Sequence, residues 1–268
     1  MIKAAAWLLA RAPLGMMAAV CRLLAWVWWT LVPVRRDLAV QNLQRVFPAL
    51  PPGPTLRRCV AELALGYVEL LRFDRTRAPM PALEGADWIR ARAAAGQGTL
   101  MLAGHGGSWD LCGLATAVQT GVPTSVIAKP PSHPGVAALV RQIRERGGLE
   151  LLAPSGSMTR VYEALSEGRV VIFFLDQRHN AGLPVPFFGR PAWTAPSLAA
   201  AARRSGCPVV GVWQWREGVG RHRVRAWPPF ALTGDIDQDT RTFQAFYEDR
   251  VRERPHAWLW LHDRWRSP

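Results

Sequence analysis

The sequence predicts an α/β protein with a mostly parallel central sheet, covered by helices on both faces and preceded by an apolar, membrane-associated helix. Three observations carry that expectation. From residue 83 onward, short apolar runs alternate with helix-period segments, the pattern of strands joined by crossover helices. Val170–Leu175 is continuously apolar and rich in β-branched and aromatic residues, as a strand buried on both faces must be. Residues 4–34 are nearly all apolar, interrupted by Arg11 and Arg22.

The N-terminal runs are shorter than the roughly 20 residues that cross a bilayer comfortably. Arg11 and Arg22 are eleven residues apart, which at about 100° per residue returns them to nearly the same helix face. Trp7, Trp26, Trp28 and Trp29 crowd the same segment. An apolar surface with a basic stripe and aromatic residues describes a helix lying in a membrane interface. An amphipathic core helix and a tilted span with Arg22 snorkelling are the alternatives. Residues 1–35 are therefore read as a membrane-associated leader and 36–268 as the catalytic domain.

Residues 35–75 read as helical, with a break at Phe47–Pro54 and helix resuming at about Leu56. A helix near 84–95 ends at Gly96, and Thr99–Ala103 follows as a buried strand. Helix near 109–120 leads to a strand at Thr124–Ala128, then helix near 134–146, a strand around Leu149–Leu152 and helix near 157–167. Beyond the central strand lies a Pro/Gly-rich loop. Ala195–Ser205 should be helical, Pro208–Gln214 a strand, His222–Ala226 an edge strand and 238–253 a helix before a Trp-rich end.

The formal net charge is +13, and only five of the basic residues fall in residues 1–36. Such an excess suits an anionic partner: lipid headgroups or an acidic protein. Nucleic acid is not expected, because no Cys/His finger or recognition motif accompanies the charge. The only lysines are Lys3 and Lys129, so Lys129 stands out from an arginine background. Cys21, Cys59, Cys112 and Cys207 lack the close spacing of a metal site and read as buried free thiols.

Gly104-His105-Gly106-Gly107-Ser108-Trp109-Asp110 falls where a buried strand ends and a helix begins. Ligand sites of open parallel sheets gather at those carboxyl ends. The glycines permit tight turns and leave amide N–H groups, at Gly106 and Gly107 especially, that could face a developing oxyanion. His105 can take a proton from an alcohol near neutral pH. Asp110, in the first helical turn, is placed to fold back onto the other imidazole nitrogen. The plainer alternative makes Ser108 or Asp110 a helix cap and His105 a core residue. No G-x-S-x-G nucleophile elbow is present, so direct attack by an activated acceptor hydroxyl fits better than an acyl-enzyme.

The His105–Asp110 spacing resembles the H-x4-D/E motif of the lysophospholipid-type acyltransferases, and specifically the lipid A biosynthesis (late) acyltransferases. The resemblance spans roughly residues 36–265. It includes Asn42-Leu43 with Phe47-Pro48, and Leu175-Asp176-Gln177 closing the central strand. Val185-Pro186-Phe187-Phe188-Gly189 with Pro191-Ala192 and Thr194 belongs to it, as does Trp258-Leu259-Trp260-Leu261-His262-Asp263-Arg264-Trp265.

The resemblance implies that His105 is the general base and Asp110 its partner. It implies an acceptor hydroxyl on a lipid A precursor and a thioester donor, acyl carrier protein or acyl-CoA, with no metal or bound cofactor. It also implies a place at the cytoplasmic face of the bacterial inner membrane. Lys129 falls where family members commonly carry an arginine for anionic groups; lysine keeps the charge but loses the bidentate fork. Asp176 and Gln177 are expected at the substrate, with a capped turn as the alternative. Arg178 and Arg190 flank the same loop, as phosphate ligands or as solvated charges. Phe187-Phe188 reads as an acyl-pocket wall or as core.

Overall fold

The computed structural model describes residues 2–73 and 80–267. The apolar N-terminus, expected as one helix, is two: α1 (Ile2–Arg11) and α2 (Leu14–Thr30). Pro13 lies between them and lacks the N–H that would carry a helix through. Met17, Ala18 and Cys21 of α2 pack on Leu65 and Val68 of a later helix, while Met16, Val20, Leu23, Leu24 and Trp26 stay exposed. No helix among the described residues is long and apolar enough to cross a membrane.

Helix α3 (Arg36–Val46) and α4 (Pro52–Leu71) follow, the second starting four residues earlier than expected because prolines at 52 and 54 suit a first helical turn. Then come β1 (Leu83–Glu84), α5 (Ala86–Ala94), β2 (Thr99–Ala103), α6 (Asp110–Thr120), β3 (Thr124–Ile127), α7 (Pro134–Arg146), β4 (Leu149–Leu152), α8 (Met158–Ser166) and β5 (Val170–Phe174). The expected loop after β5 contains a hairpin, β6 (Leu183–Phe187) and β7 (Arg190–Thr194). Phe188 and Gly189 both have positive φ at its two-residue turn, which matches the twist of antiparallel strands. Helix α9 (Ser197–Ser205), β8 (Val209–Gly218), β9 (Arg221–Pro229), α10 (Ile236–Glu253) and a short 3-10 turn at Pro255–Ala257 complete the chain.

Seven strands form one sheet in the order β1-β9-β8-β2-β5-β3-β4, parallel at every pairing except β8 with β9. The expected edge strand near His222 is instead interior, because the two-residue β1 pairs along its outer side. The order brings β5 next to β2 although two strands and three helices separate them in sequence. Their register pairs Ala103 with Phe174, so both strands end together. The main core, including Trp213, Phe173, Trp258 and Trp260, lies on one face of the sheet; a second cluster around Met101, Ile172 and Val212 lies on the other.

Candidate active site

Two residues beyond the paired ends of β2 and β5 stand His105 and Asp176. In-register parallel strands, ending at the same level, thus set an imidazole beside a carboxylate. Asp176 Oδ2 accepts the backbone N–H of His105 at 2.7 Å, and Oδ1 lies 2.8 Å from Nδ1. The Trp258 indole N–H donates to Oδ2 at 3.0 Å. The Asp176 side chain is 1% exposed and that of His105 19%. Burial pushes the Asp176 carboxyl up, but the nearby His105 charge and these hydrogen bonds outweigh it and hold it below the usual range. An ionised Asp176 only accepts, so Nδ1 carries the proton and Nε2 presents its lone pair. Nε2 has no protein hydrogen-bond partner among the described residues.

The expected His105–Asp110 contact is not formed. Asp110 begins α6, and its Oδ1 accepts from Arg144 Nε of α7 at 2.7 Å, a pair in which the side chains are 13% and 12% exposed. The helix carries Asp110 toward α7, whereas the Asp176 carboxylate already occupies the Nδ1 side of the ring. Asp176, expected at the substrate, therefore fills the place assigned to Asp110.

The glycine turn also differs from expectation. The N–H of Gly106 donates to Gly104 O at 2.9 Å, that of Gly107 to Ala257 O at 2.7 Å, and that of Ser108 to Gln214 Oε1 at 2.7 Å. Those amides are engaged within the protein and do not face an oxyanion. The glycines serve close packing instead. A Cβ on Gly104 or Gly106 would collide with the Trp213 ring, and one on Gly107, whose φ is +55°, would sit 2.6 Å from Gln214 Oε1.

Beneath this turn lies a buried polar cluster absent from the sequence expectations. Ser108 Oγ donates to Glu69 Oε2 at 2.8 Å and accepts from Arg216 at 2.9 Å. Arg216 also pairs with Glu69 Oε1, which lies 3.1 Å from His222 Nε2. Burial raises the Glu69 carboxyl, but the hydrogen bonds and charges of His222 and Arg216 prevail and hold it at about 2. Gly66 lets Ser108 approach α4, since a Cβ there would meet Ser108 Oγ at 3.0 Å.

The C-terminal segment braces the other side. Besides Trp258, His262 Nε2 accepts the Arg178 N–H at 2.8 Å, fixing the turn that carries Asp176. Burial drives the His262 imidazole down to about 4, so the ring is neutral and free to accept. Asn42 of α3 donates to the carbonyls of Trp260 and His262 at 3.0 and 2.9 Å. Arg264 is fully buried; it donates to Trp193 O at 2.7 Å and Gln244 Oε1 at 2.9 Å, and burial lowers it to about 10. Trp265 donates to Phe187 O at 3.1 Å.

Of the remaining predicted residues, Gln177 is engaged through its carbonyl, 3.4 Å from Arg264 Nη1, and the Arg178 guanidinium reaches Ser267 O at 3.1 Å. Lys129 and Arg190 are exposed, one beyond β3 and the other at the start of β7. Phe187 is fully buried against Phe188, Trp258 and Trp265 and belongs to the core. Cys21, Cys59 and Cys112 are buried and Cys207 half-buried, all as free thiols. Trp109 packs edge-on to His105 with ring centroids 5.2 Å apart and to the exposed Tyr67 at 5.9 Å, leaving an aromatic path from surface to imidazole.

An imidazole oriented by a buried carboxylate at the ends of parallel strands, without a nucleophile elbow, suits an enzyme that activates an acceptor hydroxyl. The chain belongs to the bacterial lipid A biosynthesis acyltransferase family, which it matches over residues 1–267, and is an acyltransferase. It is 26% identical over 240 residues to a phosphatidylinositol mannoside acyltransferase of Mycobacterium tuberculosis (strain ATCC 25618 / H37Rv), covering 84% of this chain and 75% of that protein. A phosphatidylinositol mannoside acyltransferase of Mycolicibacterium smegmatis is 24% identical over 245 residues, covering 84% and 78%. A lipid A biosynthesis acyltransferase of Haemophilus influenzae is 23% identical over 237 residues, covering 85% and 74%.

Proposed function

We propose that this acyltransferase moves a fatty acyl chain from a thioester donor to a hydroxyl of a membrane glycolipid, with His105 as general base and Asp176 as its orienting carboxylate. The observation that carries the reading is the 2.8 Å contact from His105 Nδ1 to Asp176 Oδ1, which leaves Nε2 as the accepting atom. Nε2 takes the hydroxyl proton as the acceptor oxygen attacks the thioester carbonyl. The tetrahedral intermediate expels a thiolate, which receives that proton from Nε2. An ester bond forms, the C–S bond breaks, and the imidazole returns to its starting state. Asp176 stabilises the imidazolium formed in between.

The acceptor follows the family name first, a lipid A precursor, with a phosphatidylinositol mannoside as the alternative that two relatives' names support. The donor is acyl carrier protein or acyl-CoA, both anionic and suited to a chain of net charge +13. The exposed apolar face of α2, with Trp7, Leu8 and Leu31 beside it and Arg11 and Arg22 also exposed, supports interfacial attachment at the cytoplasmic face of the inner membrane.

The test incubates purified protein with radiolabelled acyl carrier protein or acyl-CoA and either a Kdo-bearing tetra-acylated lipid A precursor or a phosphatidylinositol mannoside. His105→Ala is run beside the wild type. Acylated lipid from the wild type alone supports the reading and tells donor and acceptor apart. Equal product from both proteins removes His105 from the chemistry.

A further inference from the structure

A cavity opens at the same end of the sheet as His105, beyond the carboxyl ends of β3 and β4. Its volume is about 340 Å³, and its floor is formed by Ala128, Leu151, Leu152 and Ala153. One wall is a single stripe of α7: Ala137, Val140, Arg141 and Arg144, spaced as i, i+3, i+4 and i+7, so that all four face the same way. The apolar pair lies toward the helix start and the two guanidiniums toward its end. Arg144 is occupied by Asp110. Arg141 forms no ion pair among the described residues, even with Glu145 four residues on. A largely apolar trough whose mouth carries the exposed, unpaired Arg141 guanidinium, with Glu145 also in the lining, suits a slender, mostly neutral chain that carries an anion at one end.

Neighbouring strands are about 4.8 Å apart, and β5 and β3 lie between β2 and β4. The cavity is thus two to three strand spacings, roughly 10–15 Å, from His105. A donor whose thioester sits at His105 must extend its arm away from that point. Acyl-CoA and acyl carrier protein share one arm, phosphopantetheine, with two amides along its length and a phosphate at the far end. We infer that this cavity is the donor-arm subsite, in which Arg141 binds the phosphopantetheine phosphate while the trough of α7, β3 and β4 covers the arm. This rests on the thioester-donor reading above. The Asp110–Arg144 pair then ties the subsite wall to the first turn of α6, beside Trp109 and the imidazole.

The experiment measures calorimetric binding of 4′-phosphopantetheine and of pantetheine, which lacks the phosphate, to the full-length protein in detergent. Arg141→Glu and the milder Arg141→Gln are compared with the wild type, and melting curves confirm that each is folded. The wild type should favour the phosphorylated arm at least about tenfold, equivalent to about 1.4 kcal/mol, and Arg141→Glu should abolish the preference. Equal binding of both compounds to the wild type, or an undiminished preference in both variants, overturns the proposal. A parallel arm measures binding to vesicles containing phosphatidylinositol. A loss confined to that arm assigns the phosphate to a lipid and also overturns it. Acyl transfer is followed in the same preparations. Transfer without phosphate discrimination defeats the subsite alone, whereas discrimination without transfer leaves the subsite standing and defeats the choice of acceptor.

Discussion

Asp176 holds His105 at two points, accepting its backbone N–H at 2.7 Å and facing its ring nitrogen at 2.8 Å. The two contacts do different things. The first locks the chain direction where β2 ends, and the second fixes the ring and its tautomer. Because both come from one carboxylate on the adjacent parallel strand, the geometry depends on the register of the sheet more than on the local turn.

The first prediction follows from that division. Asp176→Asn keeps shape and most hydrogen bonding but loses the charge that steadies an imidazolium. Its kcat should fall about 10³–10⁴-fold with KM little changed. Asp110→Asn should lower kcat less than about tenfold while destabilising the fold by about 1.5–3 kcal/mol, the scale of a hydrogen bond to a charged group. Steady-state kinetics with denaturant melts would separate the two. An Asp110→Asn defect in kcat as deep as that of Asp176→Asn would return the partner role to Asp110.

Trp258 supplies the only side-chain N–H besides His105 to the Asp176 carboxylate among the described residues. Trp258→Phe retains much of the ring packing and removes that donor. Losing that hydrogen bond should let the Asp176 carboxyl rise toward its ordinary range. The proposed mechanism needs an ionised Asp176, so the acid limb of kcat/KM should move to higher pH, by up to about one unit. The pH profile of the variant checks this; an unmoved limb with a merely lowered plateau would make Trp258 a packing residue.

Much of this site was legible in the sequence. The strands at 99–103, 149–152 and 170–175 and the helix at 134–146 could be placed because each is a short apolar run or a clean helical stripe bounded by Gly or Pro. The position of His105, just after a buried strand, could be read from the sequence. The carboxylate that contacts it could not, because Asp110 is near in sequence and Asp176 is near only once β5 inserts between β2 and β3. Strand order is a non-local property that periodicity does not encode. The same holds for Glu69 and Arg216, joined across 147 residues, and for Asn42, which binds carbonyls 218 and 220 residues away. The hairpin at 183–194 was hidden by its prolines, which read as loop although this two-stranded unit leaves them unpaired edges.

Glu69 should leave a signature in acid stability. Its folded-state pKa of about 2 lies below the ordinary 4.5, so its contribution is present above pH 4.5 and lost as pH falls toward 2. The difference corresponds to about 3 kcal/mol. Glu69→Gln should be destabilised at pH 7 and should lose the part of the pH dependence that the wild type shows between 4.5 and 2. Urea denaturation at several pH values measures both. Parallel wild-type and variant curves in that window would mean that Glu69 has the same pKa folded and unfolded.

The N-terminal helices should bind membranes through the face that the fold leaves uncovered. On α2 the buried stripe at Met17, Ala18 and Cys21 is satisfied by α4, yet Met16, Val20, Leu23 and Leu24 stay exposed. Full burial of one leucine is worth about 1.5–3 kcal/mol, and interfacial immersion captures part of that. Replacing Leu8, Leu23 and Leu24 together by serine should therefore lower partitioning onto anionic vesicles by at least about tenfold, or 1.4 kcal/mol. Binding of the wild type should also weaken with salt, because exposed Arg11 and Arg22 act through a screened field. The substituted residues are exposed and take no part in the hydrogen bonds of Asp176 and His105, so the triple variant should retain activity on a short-chain, water-soluble thioester. Vesicle sedimentation gives the first quantity and thiol release the second. If sedimentation is unchanged, the uncovered face is not what meets the bilayer.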